Sequence, residues 1–244
     1  MKIAIYLTGS TYTDISCRFG DFEDWFARGM NPLGFETITI DVTRGDRPDL
    51  GEIDGIIITG SPASVAKDPE LWVADTIEHL RDILAMDFPT LGVCFGHQVL
   101  AAAAGCEVER HPVARELGTI ELRQTGAGQQ SPLFRDIPER FKVQETHEDV
   151  IWDVPDGSGI RALAENEHNS YQALAYTEHI YSVQFHPEIT ADIMHVYIDI
   201  YGKKLLNRGE LSEQEYQAIA GNVEESDTGD QIFRNFAEII RMAK

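Results

Sequence analysis

Two short stretches of this chain hold residues whose types and spacing suit covalent chemistry. They are Gly92-Val93-Cys94-Phe95-Gly96-His97-Gln98 and Val183-Gln184-Phe185-His186-Pro187-Glu188. Residues 88–93 read as a short buried strand, and residues 99–104 are alanine-rich and helix-forming. A cysteine between them sits on a sharp strand-to-helix turn, the logic of the Gly-x-Ser-x-Gly elbow rewritten with sulfur. Neighbouring glycines let the backbone pass through a strained turn and let substrate come close. The backbone N–H groups that open the helix favour a thiolate. Taken alone, Cys94 also fits a buried structural cysteine.

The second stretch supplies what a thiol nucleophile needs. Tyr181, Val183 and Phe185 read as one face of a strand that ends at His186. Residues two apart in extended chain point the same way, so His186 and Glu188 project together. Pro187 fixes the intervening φ and disfavours helix at His186. A carboxylate beside an imidazole sets its tautomer and stabilises its protonated form. The spacing therefore predicts one site, with Cys94 as nucleophile, His186 as base and Glu188 as its orienter.

Together these motifs resemble the class I, triad-type glutamine amidotransferases, whose elbow reads Gly-x-Cys-x-Gly-His-Gln and whose base strand ends in Phe-His-Pro-Glu. Further matches fall in the same order. Ile56-Ile57-Ile58-Thr59-Gly60-Ser61-Pro62-Ala63-Ser64 is similar to the family's strand and Gly-Gly-Pro-x-Ser loop. Ser131-Pro132-Leu133-Phe134 and Thr146-His147-Glu148-Asp149-Val150 are similar to its Pro-Leu-Phe turn and Ser-His-Gly-Asp segment. The resemblance covers residues 1–200 and includes both GMP-synthase-type amidotransferase domains and γ-glutamyl peptidases.

The resemblance implies that Cys94 attacks the γ-carboxamide of glutamine, or a γ-glutamyl amide, and passes through a thioester. It places the oxyanion on backbone N–H groups of Phe95 and of Gly60-Ser61. Gln98, Glu148 and Asp149 match positions that contact substrate. Two positions depart from the pattern: Ser61 replaces a second glycine, and Glu148 stands where glycine is common and is expected to point outward, since inward it would repel a substrate carboxylate. Three functions stay open: an amidotransferase or glutaminase working with an ammonia-accepting synthase or synthetase subunit, a γ-glutamyl peptidase, and a non-catalytic regulator. The intact triad counts against the last.

The elements that must position these residues alternate as in an α/β fold with a mostly parallel, flavodoxin-like sheet covered on both faces. Residues 2–7, 35–42 and 53–59 read as strands, and residues 19–30 and 69–86 as amphipathic helices. Residues 105–110 and 118–123 read as a small antiparallel extension. Residues 124–131, rich in Gly and Gln, read as a mobile loop. Later strands are expected at 141–145, 160–164, 171–176 and 180–185. Residues 191–206, 212–220 and 230–243 read as helices, the second opening on a capping box of Ser212 with Glu215. The expected division is an amidotransferase domain over 1–200 and a helical appendage over 201–244 packed upon it.

Composition sets limits. The chain of 244 residues carries 20 Lys and Arg against 41 Asp and Glu, a net charge of −21, which argues against nucleic acid as a partner. No apolar run suits a membrane span and the first residues lack a signal-peptide pattern. Three cysteines form no disulfide framework and suit a reducing cytoplasm. The eight histidines show no metal-ligand spacing such as His-Glu-x-x-His, so neither metal nor cofactor is expected. His147 reads as structural, His97 as packing beneath the elbow, and Met194 and Tyr197 as core or interface.

Overall fold

Short apolar runs build the centre of the molecule. The computed structural model describes residues 1–67, 69–112 and 115–244. In chain order its strands are β1 (Lys2–Leu7), β2 (Glu36–Asp41), β3 (Gly55–Ile58), β4 (Thr90–Val93), β5 (Glu107–Arg110) and β6 (Glu116–Gln124). They continue with β7 (Arg140–His147), β8 (Asp149–Asp153), β9 (Arg161–Glu165), β10 (Ala173–Ala175) and β11 (Ile180–Val183). The helices are α1 (Thr13–Phe19), α2 (Phe22–Met30), α3 (Leu71–Ala85), α4 (Phe95–Ala103), α5 (Ala191–Tyr197), α6 (Lys203–Arg208), α7 (Glu213–Gly221) and α8 (Thr228–Met242).

Nine strands form one sheet in the order β2-β1-β3-β4-β11-β10-β9-β6-β7. The first five are parallel, and the remaining pairings are antiparallel. Ile56, Ile57 and Ile58 on β3 are all fully buried, as expected of a strand covered on both faces. On one face, Ile3, Ile5 and Ile57 pack with Phe26 and Met30 of α2 and with Phe233 and Phe236 of α8. On the other, Ala4, Ile56 and Ile58 pack with Val73, Leu80 and Ile83 of α3 and with Phe95 and Val99 of α4. Each such large apolar side chain contributes about 1.5–3 kcal/mol by burial.

The antiparallel part is larger than its sequence pattern suggests. Residues 105–110 and 118–123 do not pair with one another: β5 joins β8 in a separate two-stranded ribbon, while β6 lies between β9 and β7 in the main sheet. The single helix expected over 19–30 is broken. Gly20 adopts φ 83°, and Asp21 then caps α2 through a box with Asp24.

Residues 124–131 are likewise not a free loop at the site. Thr125 N–H donates to the Leu163 carbonyl at 2.9 Å, the Thr125 hydroxyl reaches the Ala162 carbonyl at 2.6 Å, and buried Gly128 begins a three-ten turn. This turn sits at the end of β6 remote from Glu116. Its Gly and Gln content reflects close packing on β9, where a Cβ on Gly128 would meet the Leu163 carbonyl oxygen at 2.0 Å. At the C-terminal end, the box of Ser212 and Glu215 opens α7 as its sequence predicts. Among the described residues, no helix is long and apolar enough to cross a membrane.

Candidate active site

β4 ends at Val93 and α4 begins at Phe95, so Cys94 must turn the chain within one residue. It does so at φ 54° and ψ −105°. Such a conformation costs about 1–3 kcal/mol and persists only where its surroundings enforce it. Here the Cys94 N–H donates to the Val183 carbonyl at 2.9 Å, and the Cys94 carbonyl accepts from Gln98 N–H at 3.2 Å. Both flanking glycines are required by close approach. A Cβ on Gly92 would lie 2.5 Å from the Gly96 carbonyl oxygen, and one on Gly96 would lie 2.4 Å from the Ile58 carbonyl oxygen.

Beyond β11 the extended geometry expected through Glu188 is not kept: the chain bends at Gln184 and Phe185, and Pro187 and Glu188 form a turn in which Ile189 N–H donates to the His186 carbonyl at 3.4 Å. The His186 N–H donates to the Gln144 carbonyl at 2.9 Å and so ties it to β7. His186 and Glu188 are both buried, and His186 Nδ1 lies 2.7 Å from Glu188 Oε1. Cys94 and His186 flank the same glycine: a Cβ on Gly60 would lie 3.1 Å from His186 Cε1 and 3.7 Å from Cys94 Cβ. Burial alone disfavours a charged His186. The charge of Glu188 first and then that of Cys94, with the hydrogen bond to Glu188, override it and hold the imidazole pKa well above its usual value. His186 Nε2 is buried with no conventional hydrogen-bond partner, and sulfur is a weak one.

The residues named by sequence spacing thus come together at the base of a cavity of about 460 Å³ that Cys94 and His186 both line. Ser61 forms part of its rim and explains its own presence. Its hydroxyl donates to the Thr8 carbonyl at 2.6 Å and accepts from Ala63 N–H at 3.1 Å, fixing the loop without a second glycine. Phe95 turns its ring into the core against Trp72. Gln98 lines the cavity, but its amide donates to the Asp149 carbonyl at 2.9 Å and to Gln184 Oε1 at 3.2 Å, bracing the opposite wall. Asp149 is buried and joined to the Ser64 hydroxyl.

Glu148 corrects one expectation. It does not point away but stands in the cavity wall, ion-paired with Arg110 and Arg115 and accepting from the Tyr201 hydroxyl at 2.8 Å. The two guanidinium groups offset the charge that would repel a substrate carboxylate. Arg115, stacked over the Tyr201 ring at 4.4 Å, and Tyr201 itself line the same cavity. Neither carries a sequence motif; they arrive from a loop before β6 and from the turn between α5 and α6. Tyr197, expected in the core, is buried and also lines the cavity. His97 is fully buried beneath the elbow. It donates from Nε2 to the Tyr171 carbonyl at 2.9 Å and pairs through Nδ1 with Ser182 Oγ at 2.6 Å.

The model of the family described as glutamine amidotransferase class-I matches residues 19–198. The chain is 32% identical to a GMP synthase of Petrotoga mobilis over 191 residues, 77% of this chain and 32% of that protein. It therefore spans about a third of the length of that relative. It is 26% identical to gamma-glutamyl peptidase 3 of Arabidopsis thaliana over 240 residues, 95% of this chain and 92% of the peptidase. A solved glutamine amidotransferase from Thermotoga maritima shares the fold with a TM-score of 0.70 at 20% identity, over 97% of each chain. A second, from Methylobacillus flagellatus, gives 0.68 at 20% identity, over 99% of this chain and 92% of that one. With its elbow, sheet order and matched length in agreement, the chain belongs to the class I glutamine amidotransferase family.

Proposed function

We propose that this protein hydrolyses the γ-amide of glutamine or of a γ-glutamyl compound through Cys94, His186 and Glu188. The observation that carries the reading is the buried His186–Glu188 pair sharing Gly60 with a strained Cys94 at the base of a cavity. The Cys94 thiolate attacks the carbonyl carbon, and the oxyanion rests on N–H groups of Phe95 and of the Gly60-Ser61 loop. Phe95 is the first residue of α4, so its N–H has no intrahelical acceptor. Preorganised donors of this kind are worth roughly 2.7–4 kcal/mol each. His186 protonates the departing nitrogen and then activates water against the γ-glutamyl thioester, while Glu188 holds its ring. Asp149, braced by Gln98, and the neutralised Glu148 form the wall that receives the glutamyl end. Residues 1–200 carry the proposed triad, and 201–244 complete the same unit through Tyr201 in the cavity and α8 in the core. The protein works in the cytoplasm, and an ammonia-accepting synthase or synthetase is the partner of an amidotransferase.

A second reading, γ-glutamyl peptidase, has its own support. The cavity, at about 460 Å³, falls in the range of pockets that hold molecules larger than glutamine. The peptidase relatives also match almost the whole chain. Steady-state hydrolysis by the isolated chain, with products identified by mass spectrometry, separates the two. Rapid release of ammonia from glutamine supports the amidotransferase. Rapid cleavage of γ-glutamyl peptides with negligible glutamine hydrolysis replaces it with the peptidase. No turnover of either overturns the proposal.

A further inference from the structure

A second cluster of titratable groups adjoins the triad, with His147 lining the same cavity, and takes no part in the proposed hydrolysis. Glu116 on β6, with Glu145 and His147 on β7, place ligand-type atoms within 4.8 Å of one another, and all three residues are buried. His147 Nε2 lies 3.1 Å from Glu116 Oε2 and 3.4 Å from Glu145 Oε2. Around an ion bonded at roughly 2.0–2.2 Å, ligand atoms sit about 3–4.4 Å apart.

Hydrogen-bond accounting decides what this cluster wants. His147 Nδ1 faces the Asp149 carbonyl at 3.1 Å, and a carbonyl only accepts, so Nδ1 carries the hydrogen. Nε2 points at Glu116 Oε2 and Glu145 Oε2, and in the neutral ring it carries the lone pair that a cation would take. Glu145 has no exposed surface, and neither of its carboxylate oxygens has a hydrogen-bond partner. Glu116, by contrast, is oriented by Asn166 Nδ2 at 2.6 Å and Gln172 Nε2 at 2.5 Å. A histidine that gives its other N–H to a backbone carbonyl, beside a carboxylate held by amides, is the usual surrounding of a bound metal. Gln172 Oε1, the other end of one of those amides, is also buried without a partner.

We propose that Glu116, Glu145 and His147 bind one divalent transition-metal ion of the Zn²⁺ type. One imidazole nitrogen with two carboxylates suits such an ion, and a cation gives the Glu145 oxygens the partner they lack. The site ties β6 to β7 at the point where the chain turns into the cavity wall through Glu148 and Asp149. Its role is structural, since no bond of the hydrolysis passes through it. Sequence spacing gives no hint of it, because Glu116 is far from the other two in the chain and antiparallel pairing brings them together.

The test is calorimetric titration of Zn²⁺ into the full chain after chelator treatment, with Co²⁺ absorption as a second probe. One saturable site per chain is expected, lost or weakened at least tenfold in Glu145→Gln and in Glu116→Gln. Absence of a saturable site in the parent chain overturns the proposal, as does an unchanged affinity in a folded variant. Should neither variant fold, zinc X-ray absorption on the parent protein still decides. A shell of one imidazole and oxygens supports the site. A sulfur ligand moves the ion to Cys94 and His186, and overturns it.

Discussion

His186 and His147 are both buried imidazoles beside glutamates, and their surroundings set opposite tasks. His186 turns Nδ1 to a single carboxylate, Glu188, and lies beside a thiol at the base of a cavity. One carboxylate stabilises a proton on the ring without trapping it, so the proton remains available for transfer. His147 turns Nδ1 to a carbonyl and Nε2 to two carboxylates, one of which has no hydrogen bond of its own. That arrangement suits the proposed cation better than proton transfer. What separates a base from a ligand here is the partner of each ring nitrogen.

The comparison breaks first at the nucleophile. Cys94→Ala and His186→Ala are expected to lower kcat by about 10⁴-fold or more in steady-state hydrolysis, and equal activity in either would end the triad reading. Glu188→Gln, which leaves ring and sulfur in place, should fall by a smaller factor, roughly 10²–10⁴. At the other histidine the expected readout is stability instead. Glu116→Gln should cost about 1–3 kcal/mol in urea unfolding while turnover persists, because Glu116 touches His147 and not the cavity. A collapse of turnover with unchanged stability would merge the two regions into one machine. Gly96→Ala, which forces a Cβ against the Ile58 carbonyl, is expected to cost about 3 kcal/mol by the same measurement.

A third histidine gives the most gradual effect. Burial pushes His97 from its usual 6.5 down to about 3, so the ring stays neutral in the fold while the unfolded chain takes up a proton. Unfolding then binds protons between these values, and His97 lowers stability as pH falls through about 6.5 toward 3, by about 1.4 kcal/mol per pH unit at most. Above pH 6.5 its contribution is constant. Denaturant titrations across this range, with His97→Gln as control, read the slope, and an identical slope in the variant would remove His97 as its cause.

Local sequence carried most of the elbow. The strand, the cysteine and the helix are contiguous, and Gly92 and Gly96 mark where backbone must approach backbone. The pairing of His186 with Glu188 was legible from their closeness in the chain, but its geometry was not: a turn at Pro187 and Glu188, rather than an extended strand, brings the carboxylate to the ring. The break at Gly20 was not legible, because the apolar spacing runs on through residues 19–30 while a capping box from Asp21 to Asp24 resets the helix. Residues 124–131 misled in a different way: their composition is that of a loop, but the glycine serves close packing on β9. Arg115, Tyr201 and the Glu116–Glu145–His147 cluster were beyond reach. They meet only through antiparallel pairing and the packing of the helices after β11, and no spacing along the chain encodes those contacts.

The central claim is that Cys94 alone among the cysteines is an activated nucleophile aimed at a γ-glutamyl carbonyl. Cys17 is exposed and outside the cavity, and burial with the charge of Asp153 pushes the Cys106 thiol up to about 11. The direct measurement is mass spectrometry of the native protein after brief exposure, near neutral pH, to a glutamine-shaped electrophile. The account predicts a single adduct on Cys94, suppressed by excess glutamine or γ-glutamyl peptide and lost in His186→Ala. Labelling spread equally over Cys17 and Cys94, or an adduct formed as fast without His186, would contradict it.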